Sequence, residues 1–303
     1  MRFHQAVAFL ETEQLLELCR ACDSMGYAGI SVSDHLLFPA ELRSRYTYSP
    51  HEDGSPVWGP EAEWPDPWCL ISAMAAVTSN LEFTTSIYIA PARDLMTVAK
   101  LVGTAAVISR DRAHLGVGVG WCAEEFTATG QCFEDRGRRL DDMIPALRAL
   151  WAGGWVEYHG SHYDVPRMQM NPSPRRPVPI YVGGHSAPAI RRAARLGDGW
   201  LGAGAYTPEE AWHYLGALRS ALVSEGRADK PYRIYLALAA RPDIDLYRRF
   251  EDAGVTDMVC APWMVAGPTG TGAGASTLEA KVRAAEGFAT SIVAKMGSVG
   301  ARA

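Results

Sequence analysis

Residues 178–204 read VPIYVGGHSAPAIRRAARLGDGWLGAG, and this stretch contains one complete unit of the repeat that builds the fold. Its apolar runs, 178–183 and 199–204, predict two short strands that are buried on both faces. Between them, the alanine-rich segment that follows the Gly-Gly turn predicts a helix. A strand, a helix and a second strand in this order indicate a parallel crossover unit.

The same alternation of strands and helices extends along the chain. Eight β-like runs alternate with eight helical patterns, which predicts a parallel sheet with right-handed crossovers. This number of units closes most economically into a (β/α)8 barrel, and a doubly wound open sheet is the alternative. We expect one domain over residues 1–303, a length that suits such a barrel. The predicted strands are 2–9, 26–33, 81–90, 113–120, 178–183, 199–204, 232–239 and 254–261.

Three segments are longer than an ordinary connection: 36–65 after the second strand, 121–137 after the fourth, and 153–177 before the fifth. The first two follow the carboxyl ends of strands, where barrel enzymes carry their chemistry. Segment 36–65 and the residues just after it are rich in aromatic side chains. They predict an apolar or aromatic pocket lining under a lid, or a loop that packs against the barrel. These side chains belong to Tyr46, Tyr48, Trp58, Trp64 and Trp68.

Composition and charge limit the classes of partner. The formal net charge is −5 and no basic stripe is interleaved with aromatic residues, so we expect no nucleic-acid partner. The amino-terminal segment does not resemble a signal peptide and no stretch is long enough to span a bilayer, so we expect a cytoplasmic protein without a membrane partner. Six scattered cysteines predict reduced thiols. The one short pair, Cys19 and Cys22, lies in a helical apolar pattern, which favours a helix face over a redox or zinc site. No second Cys-x-x-Cys pair or histidine-containing zinc motif is present, so we expect no metal site.

The carboxyl ends of the predicted strands indicate a site. Asp34 and His35 end the second strand and indicate a catalytic base with the group that orients it, or a structural histidine held by hydrogen bonds. The run from Gly183 to Ser186 lies directly before a helix, where backbone N–H groups and the helix dipole suit a phosphate. A simple tight turn is the alternative for that run. The glycines of the fourth strand alternate at period two, so they do not form a dinucleotide-binding fingerprint.

Several segments together resemble the bacterial luciferase-like flavin and deazaflavin oxidoreductases, in the family's order and over most of residues 30–200. These segments are SDHLLFP (33–39), PDPWCLISAMAAVTSNLEFTTSI (65–87), AHLGVGVGWCAEEF (113–126), EDRGRRLDDMIPALRALW (134–151) and PIYVGGHSAPAIRRAARLGDGW (179–200). The resemblance implies a (β/α)8 barrel that binds reduced FMN or coenzyme F420, a deazaflavin. The cofactor is expected in the mouth, the end of the barrel where the carboxyl ends of its strands lie.

The resemblance also implies roles for individual residues. Ser86 and Ile87 match the family's non-prolyl cis peptide in the third strand, which backs the cofactor ring. His35 matches a histidine that several members place beside the reactive ring edge, where it would donate or accept the substrate proton. Gly118 and Gly120 are expected to clear space for the cofactor. The residues expected to hold the cofactor are Ser86, Ile87, Gly118, Gly120 and Trp121 at the ring or its ribityl chain, and Gly183, Gly184, His185 and Ser186 at the phosphate.

The motifs are most similar to those of the deazaflavin-using branch of actinobacteria. We therefore expect an oxidoreductase that transfers a hydride between coenzyme F420 and a small organic substrate. Trp121 stands where the sugar-phosphate dehydrogenases of the family have a glutamate acid, so that activity is not expected. An FMN-dependent monooxygenase and a non-catalytic flavin-binding barrel are the alternatives. A homodimer and a separate reductase for the cofactor are further expectations from the resemblance.

Overall fold

The computed structural model describes residues 1–266 and 277–297, and a closed barrel of eight parallel strands lies at its centre. Each predicted strand segment coincides with one barrel strand, so the barrel is confirmed and the open-sheet alternative is wrong. The barrel strands are β1 (Arg2–Ala6), β2 (Gly29–Val32), β3 (Glu82–Thr85), β4 (Ala113–Val117), β7 (Ile180–Gly183), β8 (Gly199–Tyr206), β9 (Arg233–Leu238) and β10 (Asp257–Cys260); β5 (Val156–His159) and β6 (Asp164–Met168) form a separate antiparallel hairpin.

Helices alternate with the barrel strands along the chain, and capping residues set several of their starts. The Asp66 carboxylate accepts hydrogen bonds from the Trp68 and Cys69 N–H groups, and Thr207 and Glu210 form a capping box. None of the described helices is long and apolar enough to cross a membrane. The helices are α1 (Leu15–Ser24), α2 (Pro67–Ala76), α3 (Leu95–Ile108), α4 (Ala123–Ala128), α5 (Arg136–Trp151), α6 (Ala187–Leu196), α7 (Pro208–Ser224), α8 (Ile244–Asp252), α9 (Pro262–Ala266), α10 (Leu278–Phe288) and α11 (Ala294–Gly297).

A polar network fills the interior of the barrel at the amino-terminal ends of the strands. The buried Asp257 carboxylate bonds to His4 Nε2 at 2.7 Å and to Arg233 Nε at 2.6 Å. Burial raises the pKa of Asp257, but the hydrogen bonds from His4 and Arg233 hold it well below its usual range. Burial lowers the pKa of the nearby His114 to about 4. This end of the barrel is therefore closed by packed side chains, which leaves the opposite end for a ligand.

The three long segments take different forms. Residues 36–65 contain no helix or strand and run from the end of β2 to the start of α2. Segment 121–137 contains the short helix α4 and the start of α5. The β5–β6 hairpin lies in segment 153–177 and packs on α5 through Tyr158, whose hydroxyl donates to Asp142 Oδ1 at 2.5 Å. Because this segment leads into the amino end of β7, only the first two lie at the mouth.

Candidate active site

The predicted site residues come together at the mouth. They follow the carboxyl ends of β2, β3, β4 and β7, which are consecutive around the barrel. The Ser86–Ile87 peptide bond is cis, as the resemblance implied. The residues at this end are Asp34 and His35 after β2, Ser86 and Ile87 after β3, Gly118, Gly120 and Trp121 after β4, and Gly183, Gly184, His185 and Ser186 at the junction of β7 and α6.

Asp34 binds an arginine and does not orient His35. The side chain is almost completely buried, and its Oδ2 and Oδ1 atoms lie 2.8 Å from Nη1 and Nη2 of Arg93. The Ile89 N–H also donates to Oδ2, at 2.9 Å. Burial raises the pKa of the Asp34 carboxyl, and the Arg93 guanidinium acts in the opposite direction. The expected Asp34–His35 pair is therefore wrong, since Asp34 instead fixes the segment that follows β3.

Glu125, on α4, is the carboxylate that contacts His35. Its side chain is 0% exposed and that of His35 is 12% exposed. Oε1 of Glu125 lies 3.2 Å from Nδ1 of His35 and accepts the Leu36 N–H at 2.6 Å. Oε2 of Glu125 is buried and has no hydrogen-bond partner among the described residues. The pair gives the imidazole a fixed orientation and leaves its Nε2 atom for another partner.

The neighbouring residue Glu124 anchors segment 36–65 to the same helix. It accepts hydrogen bonds from the Arg43 and Ser44 N–H groups at 2.7 and 3.1 Å, and Ser44 Oγ accepts the Ala123 N–H at 2.9 Å. Burial raises the pKa of Glu124, but the hydrogen bonds from Ser44 and Arg43 lower it to about 2. Two adjacent glutamates thus hold the two ends of residues 36–44, which places the start of this segment over the mouth.

Three tryptophans contact His35, and two further aromatic side chains contact these tryptophans. We call the five the aromatic enclosure: Phe9, Tyr46, Trp58, Trp64 and Trp121. The ring of His35 lies 5.0 Å from Trp58, 4.9 Å from Trp64 and 5.8 Å from Trp121, centroid to centroid. Phe9 and Tyr46 extend the cluster through Trp58, at 5.5 and 5.0 Å.

Two of the predicted lining residues lie outside the enclosure. Trp68 is fully buried and packs against Tyr88 at 5.4 Å. Tyr48 lies between Tyr46 and His185, at 5.5 and 5.2 Å from their rings. Aromatic side chains therefore continue from the enclosure to the junction of β7 and α6.

The alternating glycines of β4 face the chain that follows β3. A Cβ atom at Gly116 would overlap the Thr85 carbonyl oxygen, one at Gly118 would lie 2.8 Å from Cδ1 of Ile87, and one at Gly120 would lie 2.6 Å from Cγ2 of Ile89. Gly120 also has a φ of +76°, which favours glycine. Isoleucines thus lie where side chains of residues 118 and 120 would be, so these glycines allow the close packing of neighbouring segments. The expected contact of Gly118 and Gly120 with the cofactor stays a prediction.

Ile87 lies against both Gly118 and Gly183, and this predicts a measurable energetic coupling between Gly183 and Ile87. A Cβ atom at Gly183 would overlap Cγ2 of Ile87, whereas one at Gly118 would meet Cδ1 of the same side chain. We expect Gly183→Ala to lower the free energy of unfolding by about 1–3 kcal/mol, the usual effect of overpacking. In an Ile87→Ala background the same change is expected to cost less than about 0.5 kcal/mol, because the overlapping atom is gone. Urea unfolding of the four proteins in this cycle measures the coupling.

Gly216→Ala is the matched control for that cycle. Gly216 lies inside α7, and nothing lies within 4 Å of the position of an added Cβ. The change is expected to stabilise the protein by about 0.5–1 kcal/mol, as alanine does in a helix. Equal costs of Gly183→Ala in both Ile87 backgrounds would show that the two residues are not coupled.

The junction of β7 and α6 forms a turn that opens a helix. Gly184 has a φ of +112°, and its carbonyl accepts the Trp200 Nε1–H at 2.7 Å. Ser186 is the N-cap of α6, and its hydroxyl accepts the Ala189 N–H. His185 bonds to the Tyr206 hydroxyl at 3.1 Å and stacks on Tyr214 at 4.7 Å. Since first-turn N–H groups of a helix have no intrahelical acceptor, this end of α6 suits an anion.

Arg136, at the start of α5, is a further residue of the mouth that no sequence motif indicated as a site residue. Its Nε donates to the Gly120 carbonyl at 3.2 Å, and its guanidinium lies 3.6 Å from the centroid of the Phe133 ring. Within residues 1–266 and 277–297, no group of three or more His, Cys, Asp or Glu side chains could hold a metal ion. The chemistry available at the mouth is therefore that of His35, its carboxylate partner and bound organic groups.

A family model described as luciferase-like monooxygenase matches residues 4–249. An uncharacterised protein of Mycobacterium tuberculosis is 33% identical over 296 residues, which cover 98% of this chain and 100% of the relative. An F420-dependent glucose-6-phosphate dehydrogenase of Amycolatopsis mediterranei is 28% identical over 191 residues, 62% of this chain and 52% of that protein. Among solved structures, a monooxygenase from Streptomyces bottropensis superposes with a TM-score of 0.71 at 18% identity, over 98% of this chain and 100% of that one.

Proposed function

The chain belongs to the luciferase-like monooxygenase family, and we propose that it transfers a hydride between coenzyme F420 and a small organic substrate at the mouth of its barrel. Membership makes it an enzyme of the oxidoreductase or monooxygenase kind, so we set aside the non-catalytic barrel. The contact between His35 and the buried Glu125 is the observation that most directly supports this function. A carboxylate-paired imidazole at the open end of a barrel is suited to move a proton as a hydride moves.

The residues of the mouth fit a flavin or a deazaflavin. The amino end of α6 would hold the phosphate, and a Cβ atom at Gly184 would lie only 2.9 Å from Cβ of Ala189, so the turn has no room for a side chain. Ile87, which lies against Gly118 and Gly183, would present an apolar surface to a planar ring. Trp121 and the backbone from Gly118 onward would border the ring or its ribityl chain. When bound, the cofactor supplies the hydride chemistry and the protein supplies position and proton transfer.

His35 would act through Nε2. A carboxylate partner at Nδ1 favours a proton on that nitrogen, because a carboxylate can only accept a hydrogen bond. Nε2 of the neutral ring then accepts a proton from a substrate hydroxyl as the substrate is oxidised, and in the reverse direction the imidazolium donates its Nε2 proton to a carbonyl oxygen. Trp58, Trp64 and Trp121 pack around His35 and leave its side chain 12% exposed, which limits the access of water to this exchange. Asp34 would act indirectly, by fixing the backbone next to His35 through Arg93.

The preference for F420 over FMN is supported by the relatives and by the motifs. The glucose-6-phosphate dehydrogenase from Amycolatopsis mediterranei, which is similar over 62% of this chain, is F420-dependent. The phosphate turn alone does not distinguish the two, since both cofactors carry a ribityl phosphate. A homodimer, a cytoplasmic location, a single domain over residues 1–303 and a separate reductase stay predictions.

Titration of the purified protein with each cofactor tests this function. We expect F420 to bind with a Kd in the micromolar range or below and FMN to bind at least about tenfold more weakly, a difference of about 1.4 kcal/mol. Ser186→Glu is expected to weaken F420 binding by at least about tenfold, because the new carboxylate would repel the phosphate at the start of α6. Calorimetry under anaerobic conditions measures both effects.

Thr277→Glu is the matched control for that substitution. Thr277 is the N-cap of α10, which follows β10 and is distant from β7 in the order of the barrel. The Thr277→Glu substitution should therefore leave the affinity for F420 unchanged. Tight binding of reduced FMN with oxygen-dependent turnover, and no binding of F420, would identify the protein as a flavin monooxygenase instead.

A further inference from the structure

We propose that the aromatic enclosure binds an uncharged, planar aromatic substrate through its carbonyl oxygen, or through the hydroxyl oxygen of the corresponding alcohol. This inference rests on the proposed function and adds the substrate class. Four features carry it: the positions of the rings, the unpartnered indole groups, the lack of a cation stacked on these rings within the described residues, and the place of the enclosure beside His35.

The enclosure is built from distant parts of the chain that meet only at the mouth. Phe9 follows β1, Tyr46, Trp58 and Trp64 belong to segment 36–65, and Trp121 follows β4. Most neighbouring rings meet edge to face, as Trp58 and Trp64 do at 5.5 Å and 69°. All five side chains are half-buried, so the cluster is not sealed inside a core. Rings that remain accessible at the mouth of a barrel favour a planar apolar ligand.

Two donors in the enclosure have no acceptor. Nε1 of Trp64 and Nε1 of Trp121 are buried atoms without a hydrogen-bond partner among the described residues. Buried Trp N–H groups ordinarily donate a hydrogen bond, so these two unpaired N–H groups indicate an acceptor that the described residues do not supply. Both rings contact His35, whose Nε2 is the nitrogen that Glu125 does not occupy. A carbonyl or hydroxyl oxygen on the substrate would supply the missing acceptor next to the proton-transferring group.

Charges around the enclosure disfavour an ionic substrate. Within the described part of the chain, no arginine or lysine is stacked on any of its five rings, although such contacts occur elsewhere, as between Arg93 and Tyr88. The guanidiniums of Arg93 and Arg136 at the mouth are already engaged, Arg93 by Asp34 and Arg136 by backbone carbonyls. Arg43 and Arg45 line a cavity beside Trp58, and they bind the Glu41 carboxylate and the Glu52 carbonyl. Glu125 lies buried against His35 and would repel an anion. A phosphorylated sugar would therefore have to compete with the groups that these arginines already bind.

Isothermal calorimetry with three probes tests the substrate class: 2-acetonaphthone, 2-naphthoate and glucose 6-phosphate. We expect the ketone to bind with a Kd on the order of tens of micromolar, a value within the reach of so small a ligand. The carboxylate of the same ring system is expected to bind at least about tenfold more weakly, and the sugar phosphate not at all. Measurements are made with and without saturating F420.

A tryptophan substitution separates the hydrogen bond from simple packing. Trp64→Phe keeps an aromatic ring and removes one N–H, so it should weaken ketone binding by about threefold to tenfold, the effect of one lost hydrogen bond. Naphthalene, which has no acceptor, should bind the variant and the parent protein equally. Trp155→Phe is the control, because Trp155 is 62% exposed and packs on Arg167. Trp155→Phe should change neither the affinity for the ketone nor the affinity for naphthalene.

The outcomes distinguish this inference from the function on which it rests. Absence of ketone binding, or glucose 6-phosphate binding more tightly than the ketone, would overturn the substrate class while F420 binding could still be intact. Equal ketone affinity in Trp64→Phe and the parent protein would overturn the role of the indole N–H. Ketone binding to a protein that binds no F420 would instead overturn the proposed function and leave the enclosure as an aromatic binding site.

Discussion

Replacing His35 with asparagine is expected to lower kcat by about 10²- to 10⁴-fold, the range typical for loss of a general acid or base. Asparagine is polar and of similar size, so it can still contact Glu125, but it cannot carry the substrate proton through Nε2. Affinity for F420 should stay within about twofold of the parent value, because His35 acts on the substrate and lies apart from the phosphate turn at α6. The rate is followed by deazaflavin absorbance, with reduced F420 and an aromatic ketone.

His159→Asn is the matched control for this experiment. His159 lies on the β5–β6 hairpin with its side chain 65% exposed, and it pairs with Asp164 away from the mouth. Its replacement should change the rate by no more than about twofold, as for most surface substitutions. A His35→Asn variant as active as His159→Asn would remove His35 from the reaction and leave its contact with Glu125 as a structural feature.

The barrel could be predicted from the sequence because its strands have a simple local signature. Parallel strands that are covered on both faces need continuous apolar runs, and each run ends at a turn that opens a helix. The stretch from Ile180 to Leu196 shows both features, and the structure places β7 and α6 there. Patterns of this kind depend only on residues that are close along the chain, so one sequence is enough to identify them.

The glycines of β4 could be identified as special, but the reason for them could not. Their spacing shows that a neighbouring group approaches every second residue of β4, but it does not identify that group. The structure shows the chain after β3, with Thr85, Ile87 and Ile89 opposite Gly116, Gly118 and Gly120. These partners lie about thirty residues earlier in the sequence. Strand packing therefore explains the spacing of these glycines, and contact between their backbone and the cofactor stays a prediction.

The partner of His35 was missed for a related reason. Neighbouring residues of an extended chain project to opposite sides, so Asp34 and His35 were poorly placed to pair with each other. Asp34 meets Arg93 beyond β3, and His35 meets Glu125 on α4. Glu124 and Glu125 are chemically identical in the sequence, and only the orientation of a six-residue helix decides which of them faces inward. That orientation depends on tertiary packing, which has no local signature.

Arg93→Ala is expected to lower the free energy of unfolding by about 3–5 kcal/mol, because it leaves the Asp34 carboxylate buried without its cation. Asp34 is 4% exposed, and Arg93 donates to both of its oxygens and to the Ile89 carbonyl, so one side chain joins the ends of β2 and β3. Arg148→Ala is the control: its pair with Asp198 is 40% and 46% exposed, and its loss should cost no more than about 1 kcal/mol. Urea unfolding measures both variants.

The pH dependence of the stability loss in Arg93→Ala identifies the cause of that loss. Burial already raises the pKa of Asp34, and removing Arg93 removes the charge that opposes the rise, so the variant's folded state holds a proton to higher pH than the parent's. Protonated Asp34 needs no cation. The deficit of Arg93→Ala should therefore be largest near neutral pH and shrink as the pH falls through the raised pKa. A deficit that does not change with pH would mean that lost packing of Arg93 on Tyr88, at 4.2 Å, dominates.

The double variant Asp34→Ala/Arg93→Ala separates the two causes, because it should be more stable than Arg93→Ala alone only if the uncompensated charge is responsible.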